Sequence, residues 1–389
     1  ARDPRRLNRS RVLSAIRHLG PASRAEISER TGFTEAAVSR ITRELIDAGV
    51  LMEATPPQPP ARAAGRPQVK LSLVGAAAHV LALEIAANAQ SVSLMDLHGA
   101  QIAHQALNLL DGLKPEQALM QAAEAGLALI AQARLPRGAV VGAGVGIAGA
   151  VDPATGVIVS APNIGWQGVP VAEPLARRLG LAVQVESRPS ALLLAEQRLG
   201  VAQGARHVLL LNVALGIGGA VMLDGRLARG RDHAAGQIAH MPMWGATGLC
   251  LCSRRGCLDT LASGRAVLAR LGRLSPHTDP GRHGPLDAQS LRDVAAAAGQ
   301  GEPQAHEAFR TAGTHLGTAL RWAAAALQPE LIVLAGVAAH CTAYVDGVRQ
   351  TFADAQDLPI AIGRIGNEVA AGELALDRFV FSGGFELPL

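Results

Sequence analysis

The chain has 389 residues, 49% hydrophobic and 17% charged, and is long enough for two or three folded units with sizeable cores. Its apolar runs are broken by Gly, Pro or charge well before a bilayer-spanning length, and no basic segment followed by an apolar one opens it, so we expect a cytoplasmic protein without membrane spans. The net charge is +4, but residues 1–70 carry +6 and the remainder −2. This asymmetry favours a nucleic-acid-binding head on a near-neutral body, or is merely a solvated charged face.

Three short helices are predicted in the head. Residues 7–20 place apolar side chains at a helical period, and Ser23 with Glu26 forms a capping box for a second helix. Thr34 caps a third helix over residues 35–48, whose outer face is polar. This spacing is typical of a helix-turn-helix, in which one helix enters the major groove of double-stranded DNA. A small helical domain with another role is the alternative.

A wing is predicted after the third helix. Residues 50–53 and 68–73 alternate like two strands, and the proline-rich segment between them is expected to be a loop. Arg66 lies between Gly and Pro in that segment, where a guanidinium suits insertion into a narrow minor groove or is simply a solvated linker charge. The candidate DNA contacts are Ser39, Arg40, Arg43 and Arg66.

Beyond residue 78 the pattern predicts a duplicated α/β fold. Strands are expected at 79–85, 91–97 and 101–108, followed by alternating helices and apolar strands. A second strand cluster at 207–212 and 218–223 opens a similar half, and helices follow it too. Two halves of this kind indicate two lobes with a cleft between them, which is a common place for a small-molecule site.

The cysteine spacing indicates a metal site. Cys250, Cys252 and Cys257 lie within eight residues, and His240 precedes the first of them by ten positions. Three thiolates and one imidazole form a closed set that suits tetrahedral zinc, so we expect one structural Zn²⁺ per chain. The alternatives are buried free cysteines, or a disulfide in an oxidising compartment. Cys341 stands alone beside an apolar strand and is expected in the core.

At these residues the chain resembles the ROK proteins, which unite bacterial sugar kinases with sugar-responsive repressors. Residues 236–241 (GQIAHM) are similar to the family's Gly-Glu-Ile-Gly-His-Met, and the cysteine run is similar to its Cys-x-Cys-Gly-x-x-Gly-Cys-x-Glu. The repressor branch adds an N-terminal winged helix-turn-helix ending in Gly-Arg-Pro, as at residues 65–67. The resemblance implies an α/β, actin-like (ribonuclease-H-like) two-lobed ATPase fold behind the head, in a homodimer or homotetramer.

The resemblance also implies a set of ligand-binding residues. Asn163, in an Asn-x-Gly-Trp segment, matches an asparagine that holds a sugar hydroxyl, and Gln237, His240 and Asp259 match the Glu, His and Glu of the family motifs. An amide, an imidazole and a carboxylate converging on one cleft can satisfy several hydroxyls. Arg188 is a further candidate, since a guanidinium can pair with Asp259 or bind an anionic ligand bidentately. Taken alone, Asn163 and Asp259 are more typical of turns and caps.

Departures from the family's kinases argue against catalysis. The kinase motif Glu-Asn-Asp supplies the base, whereas this chain has Glu186-Ser187-Arg188, and a guanidinium accepts no proton at neutral pH. The first phosphate turn has Ala86 and Ala87 in place of two glycines, and the second turn loses its threonine hydroxyl. We therefore expect no kinase activity and assign no catalytic residues.

The expected organisation is a winged helix-turn-helix at 1–72, a first lobe of 78–196 plus 367–389, and a zinc-bearing lobe of 197–366. The predicted function is a ligand-responsive transcription regulator, a repressor in type. Its expected partners are an operator in double-stranded DNA and a sugar or sugar-derived effector. The alternatives are a ROK-type carbohydrate kinase with an appended DNA-binding domain, and a DNA-binding factor that senses no ligand.

Overall fold

A winged helical head and two α/β lobes make up the described part of the chain. The computed structural model describes residues 3–54, 69–87, 89–109, 114–136, 138–274, 285–352, 358–382 and 385–386. The helices are α1 (Pro4–Leu19), α2 (Arg24–Thr31), α3 (Glu35–Asp47), α4 (Pro115–Gln132), α5 (Ala172–Leu179), α6 (Arg188–Leu199), α7 (Asp259–Ala262), α8 (Gly264–Arg270), α9 (Pro285–Gly299), α10 (Pro303–Leu327), α11 (Thr342–Phe352) and α12 (Asn367–Leu376). Within these ranges, no helix has the length and apolar character needed to cross a membrane.

The strands fall into four sheets. Those of the head and first lobe are β1 (Ala22–Ser23), β2 (Leu51–Ala54), β3 (Lys70–Leu73), β4 (His79–Ala86), β5 (Ala89–Asp96), β6 (Gln101–Ala106), β7 (Val140–Ile147), β8 (Ala150–Asp152), β9 (Val157–Ala161), β10 (Trp166–Pro170) and β11 (Val183–Ser187). Those of the second lobe are β12 (Val208–Val213), β13 (Ile217–Leu223), β14 (Arg226–Leu227), β15 (Leu331–Ala335) and β16 (Ile360–Ile362).

The head has the three helices and the wing that its sequence predicts. Ser23 and Glu26 form the capping box of α2, and the Thr34 hydroxyl caps α3 by accepting from the Ala37 N–H. Strand β3 pairs antiparallel with both β1 and β2, which makes a small three-stranded sheet. The proline-rich part of the predicted wing lies outside the described residues.

Each lobe is built on a five-stranded mixed sheet. The first has the order β11-β7-β4-β5-β6 and the second the order β14-β13-β12-β15-β16. Strands β4 and β12 are buried along their whole length, as expected for central strands covered on both faces. The small antiparallel sheet β8-β9-β10 and helix α5 follow β7 and were not predicted, because their short strands carry no clear alternation.

Helices α6 and α12 lie between the two sheets and contact each other. The apolar side of α6 packs on the second lobe's sheet, with Leu192 and Leu193 in one cluster with Leu210 and Val333. Helix α12 packs on the first lobe's sheet, where Gly144 of β7 leaves room for the α12 backbone. The predicted domain boundary places α6 in the first lobe by chain order, although its apolar residues serve the second.

The head is docked on the first lobe through a shared hydrophobic core. Leu13 and Ile16 of α1 belong to one buried cluster with Leu376 and Phe381 at the end of the chain. The Arg17 guanidinium pairs with the Glu373 carboxylate of α12, and both side chains are almost fully buried. The head is therefore fixed to α12 by packing and by a buried ion pair.

We expect Glu373→Ala to loosen the head, because it leaves the Arg17 cation buried without its carboxylate partner. Removing one member of a buried pair costs about 3–5 kcal/mol. The opening free energy of α1, measured by hydrogen exchange of its backbone amides, should fall by this amount. Glu173→Ala is the control, since Glu173 forms an exposed ion pair with Arg177 on α5. Equal exchange in the two variants would contradict this docking.

Candidate ligand cavity and metal centre

A cavity of about 540 Å³ lies between the two lobes. Its walls come from the ends of β4, β7 and β11, from the β12–β13 turn and from the segments that carry the cysteines. All the predicted ligand-binding residues line it, and they are Asn163, Arg188, Gln237, His240 and Asp259. The structure therefore brings together residues that are up to 96 positions apart in the sequence.

Asn163 and Asp259 approach each other from opposite lobes across Gly216. A Cβ atom at Gly216 would lie 3.4 Å from Asp259 Oδ1 and 3.5 Å from Asn163 Nδ2. The same carboxylate oxygen accepts a hydrogen bond of 2.9 Å from the Ile217 N–H. Desolvation raises the pKa of Asp259 to about 6. An amide and a carboxylate held this close can bind neighbouring hydroxyls of one ligand.

Gln237 and His240 form the wall of the cavity next to the cysteines. Gln237 precedes the 3₁₀ turn Ile238–His240 and has an exposed side chain. His240 directs Nδ1 at the Cys250 thiol, with 3.6 Å between Nδ1 and Sγ. Because His240 also lines the cavity, its Nε2 is the atom available to a ligand. Burial lowers the pKa of His240, which favours the neutral imidazole that metal binding requires.

His240 and the three predicted cysteines form a compact cluster that could hold a metal ion. The ligand atoms of His240, Cys250, Cys252 and Cys257 all lie within 4.8 Å of one another. Isolated β-bridges pair Pro242 with Cys257 and Leu249 with Arg255, and they close the loop around the thiols. Burial raises the pKa of Cys250 to about 12, a cost that a bound cation would reverse because metals bind the thiolate. The donor set fits a closed tetrahedral site.

Arg188 pairs with Glu84 and not with Asp259, which corrects one of the two roles predicted for it. The distance between Arg188 Nη2 and Glu84 Oε1 is 2.6 Å, and both residues are buried. Glu84 and Glu186 lie on either side of Gly146 in the sheet, and the Arg188 side chain passes over this glycine. A buried guanidinium needs the nearest carboxylate, and the sheet register makes that carboxylate Glu84.

Two further ion pairs cross the cleft, and sequence reasoning missed both. Arg229 reaches Glu186 at 2.6 Å between Nη1 and Oε2, and His233 Nε2 lies 3.5 Å from Asp152 Oδ1. The segment after β14 carries Arg229 and His233 and contacts the first lobe here. These partners are 43 and 81 positions apart, so no local motif could have identified them.

The predicted DNA-contacting side chains share one exposed face of α3. Ser39, Arg40 and Arg43 are exposed, whereas Val38, Ile41 and Leu45 are buried in the head. Arg66 lies outside the described residues. The exposed face of α3 therefore offers one hydroxyl and two guanidinium groups, the side chains that contact phosphates and base edges most often.

Comparison with known proteins places this architecture in a family. The model of the ROK family matches residues 80–357, and a winged helix-turn-helix DNA-binding model matches residues 5–52. The chain belongs to the ROK family. The family prediction and the predicted two-lobed fold with a DNA-binding head are confirmed, and this combination is that of the ROK transcription regulators.

Individual ROK proteins agree with this assignment. The DNA-binding transcriptional dual regulator NagC of Escherichia coli K12 is 28% identical over 337 residues, which cover 85% of this chain and 80% of NagC. A crystal structure of a ROK family transcriptional regulator, a homologue of the E. coli MLC protein, matches with a TM-score of 0.76 and 24% identity over 97% of both chains. A ROK glucokinase from Streptomyces griseus, in complex with glucose and AMPPNP, matches with a TM-score of 0.64 and 24% identity over 76% of this chain and 98% of the glucokinase.

We expect one tightly bound metal ion per chain, held by the His240 and cysteine cluster. Cys252→Ser should lower the metal content and destabilise the second lobe, because metal binding to a closed site contributes to folding. Elemental analysis of protein purified without chelator measures the first effect and thermal unfolding the second. Cys341→Ser is the control, since Cys341 is a buried cysteine outside the cluster. Metal-free unmodified protein would contradict the expectation.

Proposed function

We propose that this chain is a transcription repressor that binds operator DNA through its head and a small polyhydroxylated effector in its interlobe cavity, without transferring phosphate. The observation that carries the proposal is the buried ion pair between Glu84 and Arg188. It puts a cation where the family's kinases carry their catalytic base. The cavity retains groups that bind hydroxyls, and the head retains a face that suits DNA.

The absence of phosphoryl transfer follows from the groups around Arg188. A guanidinium cannot take a proton from a sugar hydroxyl at neutral pH. Ala86 and Ala87 line the cavity at the first phosphate turn, where each Cβ atom crowds the close backbone approach that phosphate binding needs. Phosphoryl transfer depends on positioning both substrates, so each of these changes opposes it separately.

The charges of the cavity favour a neutral sugar or an N-acylated sugar. Arg188 and Arg229 already pair with buried glutamates, so neither offers a free guanidinium fork to an anionic ligand. Asn163, Gln237 and Asp259 instead offer amide donors and carboxylate acceptors. This set supports a ligand rich in hydroxyls over a phosphosugar or a sugar acid.

The metal of the cysteine cluster is proposed to be zinc in a structural role. Three thiolates and one imidazole at tetrahedral spacing are a preferred zinc set and leave no open coordination position. Zinc bound there would fix the loop that carries it. His240 would then present Nε2 to the cavity in one orientation, which places a sensing residue on a rigid support.

The proposed assembly is a homodimer or homotetramer that presents two heads to successive major grooves. Symmetric dimers of helix-turn-helix proteins bind half-sites about one helical turn apart. The proposed units are the head at 1–72, a first lobe of 78–196 plus 367–389, and a second lobe of 197–366. An effector that closes the cleft would change the spacing of the two heads and so bias DNA binding.

Substitutions on the exposed face of α3 should weaken operator binding. Arg40→Ala or Arg43→Ala should cost about 1–3 kcal/mol of binding free energy if the side chain bonds a base edge bidentately. Operator titrations at several salt concentrations measure this cost. Arg321→Ala on α10 is the control, because Arg321 is equally exposed but lies in the second lobe. Unchanged affinity in both α3 variants would contradict this DNA-binding face.

Asn163→Ala should abolish the effect of the effector on operator binding while leaving the affinity of the ligand-free protein unchanged. Asn163 lies in the cavity wall and not in the head, so it biases only the ligand-bound state. A thermal-shift screen of neutral sugars, N-acetylated sugars, sugar acids and phosphosugars identifies the effector, and operator titrations with and without it measure the response. Gln289→Ala, an exposed amide on α9, is the control.

The same sugars should cause no ATP turnover in a coupled assay. Sugar-dependent turnover by the unmodified protein would instead support a carbohydrate kinase with a DNA-binding head. A protein that gives no thermal shift with any sugar would support a factor that senses no ligand. An Asn163→Ala protein that responds fully would remove Asn163 from the site.

A further inference from the structure

The carboxylate of Glu196 binds backbone donors from two distant segments of the chain. Glu196 lies in the last two turns of α6 and is 0% exposed. Its Oε2 accepts a hydrogen bond of 2.9 Å from the Val201 N–H. Its Oε1 accepts bonds of 2.5 Å from the Arg364 N–H and 2.8 Å from the Ile365 N–H. Three N–H donors therefore replace the water that this buried charge would otherwise need.

These two segments are the places where the chain crosses between the lobes. Residues 200–207 connect α6 with β12, the first strand of the second lobe's sheet. Residues 363–366 lead from β16, in the same sheet, back to α12, which packs on the first lobe's sheet. One side chain thus joins the outgoing and the returning crossing.

The backbone leaves no space around this carboxylate. A Cβ atom at Gly363 would lie 2.9 Å from Glu196 Oε1, and a Cβ at Gly200 would overlap Oε2. Neither glycine has a positive φ, so both positions are set by the close approach of the side chain and not by a turn. The contacts fix the distance between the two crossings.

We propose that Glu196 is the positioning residue about which the two lobes turn when the cavity opens and closes. The lobes meet again across the cavity, through the pairs of Arg229 with Glu186 and His233 with Asp152. A joint at Glu196 holds the lobes together at the crossings, so they separate by breaking these cavity pairs. The inference deepens the proposed function, because it names the pivot of the movement that an effector would bias.

Hydrogen exchange of the full-length protein tests the pivot without any effector. In Glu196→Gln, one acceptor oxygen becomes an NH₂ group that faces N–H donors. Amides in both crossings should exchange about tenfold faster or more, as expected from losing a hydrogen bond to a buried charge. Amides of residues 229–237, across the cavity, should also exchange faster because the lobes open. Glu124→Gln, in an exposed pair with Arg178, should change neither.

Two further variants keep the test decisive if Glu196→Gln folds poorly. Gly363→Ala pushes against Oε1 without changing the charge and should give the same exchange pattern. Glu196→Asp keeps a carboxylate and should restore protection in part. Protection at both crossings equal to that of the unmodified protein would overturn the proposal. Faster exchange at the crossings with no change at 229–237 would also overturn it, since that pattern is a local structural role.

Operator titrations with D-glucose and N-acetyl-D-glucosamine as probes separate this inference from the proposed function. If neither sugar, nor any other in the thermal-shift panel, changes operator affinity, sugar sensing fails while the exchange data still decide the pivot. If a sugar does act on the unmodified protein, Glu196→Gln should lose most of that response at unchanged ligand-free affinity. A full response in Glu196→Gln would overturn the pivot and leave the proposed function intact.

Discussion

A carboxylate removed from water needs a cation or several N–H donors, and this requirement determines how the parts of the chain are joined. Among the described residues, Glu84, Glu186, Glu196 and Glu373 are at most 3% exposed. Each lies at a junction: inside the cavity, across the cleft, at the crossings and between head and body. Packing alone would tolerate small shifts at these places, whereas a buried charge accepts few arrangements. The junctions therefore have defined geometries.

The cavity shows how this constraint separates binding from chemistry. Replacing a base by arginine would place an uncompensated cation in a buried wall, but Glu84 lies near enough to neutralise it. Binding of hydroxyls uses other atoms, on the turn after β9, on the 3₁₀ turn and on α7. These groups keep their positions when the base is lost. A kinase-like cleft can therefore keep its ligand site after its catalytic residue has changed.

Local features of this fold were predictable from sequence, and long-range contacts were not. The capping box of Ser23 and Glu26 depends on residues three positions apart, and the Cys₃His cluster largely on one short loop. The family resemblance brought Asn163 to the cavity, because a motif carries its spatial context. The partner of Arg188 depends on the register of three strands, which no spacing in the sequence encodes. Glu196 gave no signal, since an isolated glutamate in a helix is normally solvent-exposed.

The position of α12 explains how a cavity change could reach the DNA-binding head. This helix follows the crossing held by Glu196, packs on the central strands β4 and β7, and binds the head through Glu373 and Arg17. The exposed DNA face of α3 lies in the same unit as α1, which shares its core with the end of the chain. A rotation of the second lobe about the crossing therefore acts at the N-terminal end of the helix that carries the head. No flexible linker is required between ligand site and DNA face, since packed elements connect them throughout.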